Sequence, residues 1–103
     1  MSCTILRTDT FNDQLQDALI YIAEDSGDTD IALDYLDRVE KAILRLRDFP
    51  ESGTLPRYAS LRRRGFRALI VERHLVFYKL RREQNAVLLY AFLDGRQEYK
   101  NLI

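Results

Sequence analysis

Residues 61–80 read LRRRGFRALIVERHLVFYKL, and the division of this stretch decides the fold. Positions 66–72 and 74–80 are rich in β-branched and aromatic residues, the composition of strands. Only about two residues near Glu72–His74 separate them, so they form an antiparallel hairpin. A parallel connection needs about a dozen residues. A third apolar run, 86–92, follows the polar turn RREQN at 81–85. Its segment VLLYAF is almost continuously apolar, as in a strand covered on one face and partly on the other. The opening stretch also holds Arg62, Arg63, Arg64, Arg67, Arg73 and Lys79, with the only histidine, His74. These cations fit either a binding or catalytic site or the solvated face of a sheet.

Upstream, PESGTLPRYASLRRRG (50–65) reads as a mobile loop broken by Gly53, Pro56 and Gly65. Before it lie two helical stripes. Phe11, Leu15, Ala18, Leu19, Ile22 and Ala23 recur at helical spacing after a cap at Thr8, Asp9 or Thr10. Gly27 ends that helix, since it adopts positive φ at no steric cost. Ala32, Tyr35, Leu36, Val39, Ile43 and Leu46 form the second stripe, which starts near Asp28–Asp30. Asp34–Arg38 and Asp37–Lys41 are expected as i,i+4 pairs along it. Pro50 requires that helix to end by about Phe49. A short strand at 4–8 precedes both helices, and the tail turns at Asp94–Gly95 into one expected helical turn. The predicted fold is α+β, in the order β-α-α-β-β-β. A helical hairpin packs on one face of an antiparallel sheet, as a single domain over residues 1–103.

The chain has 103 residues and 47% apolar side chains, enough for one core. No run of about 18 apolar residues exists, so no membrane partner is expected. The N-terminus lacks a basic stretch followed by a long apolar one, so a cytoplasmic location is expected. Cys3 is the only cysteine, which fits a reducing compartment, and one Cys with one His makes a four-ligand zinc site implausible. Neither a metal nor a cofactor is expected. The net charge of zero hides an asymmetry. Residues 9–51 hold twelve acidic and four basic side chains, whereas residues 57–82 hold nine basic ones and only Glu72 against them. Such a chain can show a positive face to an acidic partner or a polyanion.

No phosphate-binding glycine loop, nucleophile elbow or metal cluster is present. Three segments in order nevertheless carry a resemblance. They are ALDYLDRVEKAILRLRDFPESG, GFRALIVERHLVFYKL and LLYAFLDGRQEYKNLI. Together they resemble the RelE/ParE superfamily of toxins from type II toxin–antitoxin systems, over almost the whole chain. The resemblance implies growth inhibition that ends when a cognate antitoxin binds. The implied target is either DNA gyrase, as for ParE-like members, or ribosome-associated mRNA, as for RelE-like ones. Operator DNA would be bound only through the antitoxin. The alternative is a non-toxic member that acts as an antitoxin sink or corepressor.

If the chain were a RelE-like enzyme, it would be a metal-independent endoribonuclease. That chemistry needs a base for the ribose hydroxyl, cations for the developing phosphorane and an acid for the leaving oxygen. The resemblance places Arg67, Arg96 and Tyr99 at positions used for such roles, and His74 is the one side chain that titrates near neutrality. Arg62, Arg63, Arg64, Arg73 and Lys79 are the candidates for nucleic-acid or partner binding. Leu75 departs from the nuclease pattern, because arginine commonly stands there, and Leu69 replaces a lysine of some nuclease members. Tyr78, Tyr90 and Phe92 read as core residues, and no close aromatic pair is expected on an exposed sheet face.

Overall fold

The computed structural model describes residues 2–97 and Tyr99. Strand β1 (Thr4–Arg7) leads into helix α1 (Asp9–Ser26), and helix α2 (Thr29–Leu44) returns beside it. Thr8 caps α1 by accepting a hydrogen bond from the Phe11 amide at 3.0 Å. Gly27 closes α1 at φ +69°, in the left-handed region. Asp28 caps α2 by accepting from the Asp30 amide at 2.9 Å. A 3-10 turn at Arg45–Arg47 ends the helical part ahead of Pro50.

The hairpin of strands β2 (Phe66–Val71) and β3 (His74–Arg81) follows, then strand β4 (Ala86–Asp94). The sheet order is β1-β4-β3-β2. Strands β2, β3 and β4 are antiparallel neighbours, as expected, but β1 lies parallel to β4 in the register Thr4↔Ala86. Two helices separate β1 from the hairpin, and that length permits a parallel pairing that a turn could not. Strand β4 is therefore central, which explains its unbroken apolar run.

The sheet is covered on both faces. Against the helices pack Val71, Val76, Tyr78, Val87, Leu89 and Phe92, facing Phe11, Leu15, Tyr35, Val39, Ile43 and Leu46. Each large side chain buried there contributes about 1.5–3 kcal/mol. Phe66, Ala68, Phe77, Ala91 and Leu93 form a second cluster with Leu61 and Tyr99 on the outer face.

That second cover corrects the loop expected over 50–65. Ala59–Arg63 is a short helix, α3, anchored by Leu61 at 1% exposure. One turn carries too few apolar positions to show a period in the sequence. Arg62 is correspondingly fixed: its Nη1 donates to the carbonyls of Pro56 (2.7 Å) and Arg57 (2.9 Å). The expected turn after β4 is present, with the Gln97 amide donating to the Asp94 carbonyl at 3.0 Å. The helical turn expected beyond it falls mainly on residues outside the described ones. Among the described residues, no helix is long and apolar enough to cross a membrane.

Candidate functional site

The sequence candidates separate into three places. The turn end of the β2–β3 hairpin borders an open cleft of ≈ 810 Å³ between the helical hairpin and the end of β4. His74 lies there, half-buried and paired across the turn with Val71, which puts it on the helix face. Its ring stacks on Phe92, with centroids 4.6 Å apart and planes at 17°. The Tyr35 hydroxyl donates its single proton to the Val71 carbonyl at 3.0 Å. The 2.6 Å contact between that hydroxyl and His74 Nδ1 must then use a hydrogen on Nδ1. This assignment comes from the bonding network and leaves Nε2 as the acceptor in the neutral ring.

Burial pushes the His74 imidazole below its ordinary value, with the Asp94 carboxylate opposing. Burial likewise raises the Tyr35 phenol to about 12, so it stays protonated at neutral pH. The pair is an oriented neutral imidazole, able in principle to accept a proton. Its surroundings carry charges of both signs. The cleft is lined by the carboxylates of Asp17, Asp25, Glu72 and Asp94 against the guanidiniums of Arg38, Arg73 and Arg96. Arg38 Nε meets Glu72 Oε2 at 2.6 Å, in place of the i,i+4 pair with Asp34 expected from the sequence. Arg96 donates from its amide to Asp94 Oδ1 at 2.9 Å and places its Nε 3.4 Å from the same atom. These donors hold the Asp94 carboxyl below its usual range.

Arg67 lies elsewhere. It pairs with Tyr78, four residues from His74 on β3, a separation of about 13 Å along the strand. Its Nη1 donates to the carbonyls of Glu51 (3.2 Å) and Gly53 (3.0 Å). The Tyr78 hydroxyl binds the same loop, donating to the Pro50 carbonyl at 2.8 Å and accepting from the Gly53 amide at 3.0 Å. Arg67 thus acts as a brace for residues 50–53.

Tyr99 belongs to the outer face. It is buried against Phe77 and Tyr58, with centroids at 4.8 and 5.1 Å. Lys79 also stands on that face, with Nζ 4.6 Å from the Phe66 ring centre and 5.4 Å from that of Tyr90. Arg81 donates to the Tyr90 hydroxyl at 3.0 Å. The Phe66 and Tyr90 rings meet edge to face at 5.1 Å, an aromatic pair the sequence reading did not expect. Phe66 is 1% exposed, however, so its ring is core rather than a stacking platform. Arg63 and Arg64 flank this face at the end of α3, where the Arg64 guanidinium lies 5.0 Å from the Phe66 ring centre. Leu75 packs partly buried against the same cluster, and Leu69 packs against the helix-side core.

Of the four catalytic candidates, the fold therefore gathers only His74 and Arg96. Sequence reasoning missed Tyr35, Glu72, Phe92 and Asp94 as the surroundings of His74. Strand parity was the usable signal, since counting back by twos from Tyr78 puts Val76 and His74 on one face.

A strand, a helical hairpin and a three-stranded antiparallel meander, completed by the parallel first strand, are consistent with the RelE/ParE-like fold. The sequence model for the ParE toxin of type II toxin–antitoxin systems, parDE, matches residues 5–99. The chain belongs to that family. None of the curated proteins matches it.

Proposed function

We propose that the chain is a growth-inhibiting toxin that acts by binding DNA gyrase, and that it performs no ribonuclease chemistry. It is held in check by a cognate antitoxin in the cytoplasm and reaches operator DNA only through that antitoxin. The charge of the His74 cleft carries this reading. Four carboxylates against three guanidiniums disfavour a polyanionic RNA strand. The separation of Arg67 and Tyr99 from His74 supports it further, because a phosphorane needs its cations and its acid at one place. Leu75, apolar and packed, adds no cation.

The purified chain is tested with gyrase and plasmid DNA, and by expression in cells. Gyrase inhibition or stabilised DNA breaks, with an SOS response, are expected. Translation arrest with 5′-hydroxyl RNA ends would instead establish the nuclease. His74→Ala separates the two readings: the variant stays toxic if the toxin acts by binding, and loses toxicity together with RNA cleavage if His74 is a base.

A further inference from the structure

The loop braced by Arg67 and Tyr78 has a use of its own. Phe49 and Leu55 stand at its two ends and are 65% and 62% exposed. The backbone between them is tied down at almost every residue. The Phe49 amide donates to the Arg45 carbonyl (3.0 Å), and the Ser52 amide to the Phe49 carbonyl (3.1 Å). Pro50 and Gly53 are held by Tyr78, and Glu51 and Gly53 by Arg67. Thr54 exchanges two 2.8 Å hydrogen bonds with Ala68 on the edge of β2. The Glu51 carboxylate is paired with Arg82 at 2.6 Å. Such a loop has little conformational freedom left to lose on association.

We infer that this loop is the surface that grips the toxin's protein target, with Phe49 and Leu55 as anchors for an apolar pocket rimmed by carboxylates. The inference rests on the toxin reading above. Aromatic side chains are enriched at protein interfaces, and an exposed apolar group on a preorganised loop gives up little freedom on binding. Other exposed apolar residues, such as Ile20 and Leu33, sit on helix surfaces without a comparable scaffold, and scattered single ones are ordinary. Charge selects the partner. Arg45 and Arg47 precede the loop and form no ion pair among the described residues, while Arg67 and Arg82 bind it from the sheet side. Asp48 and Glu51 are the only carboxylates of the segment 45–57, and Glu51 is already paired. The guanidinium excess fits an acidic protein rim, and the apolar anchors fit a protein pocket better than a phosphate backbone.

Phe49→Ser, Leu55→Ser and the double variant are expressed beside wild type and beside Ile20→Ser, an exposed apolar control. The double variant is expected to need about tenfold more inducer for growth arrest, the loss of a binding hot spot. Ile20→Ser should arrest growth like wild type, and the serine variants should all melt with wild type, since each of those changes is at the surface. Undiminished arrest by the double variant, with wild type toxic, overturns the inference and leaves the toxin reading standing. No arrest by wild type removes the toxin reading, and this inference with it. Tyr78→Phe, with the anchors intact but the brace cut, should raise the inducer requirement in between, and an unchanged requirement would count against a preorganised loop. Sedimentation of the purified proteins and titration with a duplex DNA supply the remaining outcomes. A dimer lost in the double variant would make the surface a contact between two copies. DNA binding lost in it would make the partner nucleic acid. Either result overturns the assignment.

Discussion

The two ends of the β2–β3 hairpin use similar residues in opposite ways. At the turn end, Arg38 and Arg96 meet carboxylates on the surface, around an aromatic stack. At the other end, Arg67 and Tyr78 are spent on backbone carbonyls and an amide of one loop. Exposed ion pairs are worth about 0–1 kcal/mol each. A buried polar group that loses its partner costs about 1–3 kcal/mol. The loop end should therefore be rigid and intolerant of change, and the turn end adjustable. Basic residues in this sequence consequently mark structure at one end and rim electrostatics at the other.

The largest break in that contrast should come from Gly53→Ala. A Cβ there would stand 2.5 Å from Tyr78 Oη and 2.9 Å from the Ala68 carbonyl oxygen. The side chain of Tyr78 is fully buried and has nowhere to move. Overpacking and a lost hydrogen bond together should cost about 3 kcal/mol. Chemical denaturation measures this, and a loss below about 1 kcal/mol would show that the loop is loose. Tyr78→Phe should follow at about 2 kcal/mol, since it strands the Pro50 carbonyl and the Gly53 amide while keeping the ring.

The turn end answers to pH instead. Burial holds the folded His74 pKa below its ordinary 6.5, so the unfolded chain binds its proton first. His74 thus contributes stability that is present above about pH 6.5 and is lost as pH falls through the lower folded value. Unfolding measured between neutral and mildly acidic pH should show this decline, and His74→Gln should remove it. Tyr35→Phe tests the network, because it removes the hydroxyl that His74 contacts at 2.6 Å. The loss of stability at still lower pH belongs to carboxylates such as Asp94 and Glu51, whose folded pKa values are lowered by their arginine partners.

Much of the fold was readable because its signals are local. The stripes of Phe11–Ile22 and Ala32–Leu46, the cap at Thr8 and the two-residue gap before His74 each imply one backbone shape. The parallel pairing of β1 with β4 was not readable, since nothing in TILR states which edge it joins. Helix α3 was hidden because Leu61 alone anchors it. The site was less legible still. Arg67 carries no mark that distinguishes a phosphate ligand from a carbonyl brace, as a guanidinium serves both with the same donors. Only the arrival of residues 50–53 against β2 decides between them, and that is a long-range contact.

The smallest expected effect separates backbone strain from ion pairing within the turn itself. Glu72 is a non-glycine residue at φ +55°, where a Cβ crowds the following carbonyl at about 1–2 kcal/mol. Its carboxylate meets Arg38 on the surface, with both side chains about half exposed. Glu72→Ala removes the pair and keeps the strain, so it should destabilise slightly. Glu72→Gly removes the same pair and relieves the strain, against an unfolded-state entropy cost of about 0.5–1 kcal/mol. The glycine variant should therefore be the more stable of the two by up to about 1 kcal/mol, although both lack the carboxylate. Arg38→Ala serves as the reference, because it breaks the pair without touching the turn. If the glycine variant is instead less stable than the alanine variant by about 0.5–1 kcal/mol, the entropy cost alone, the left-handed residue is not strained. The turn end would then owe its adjustability to weak ion pairs alone.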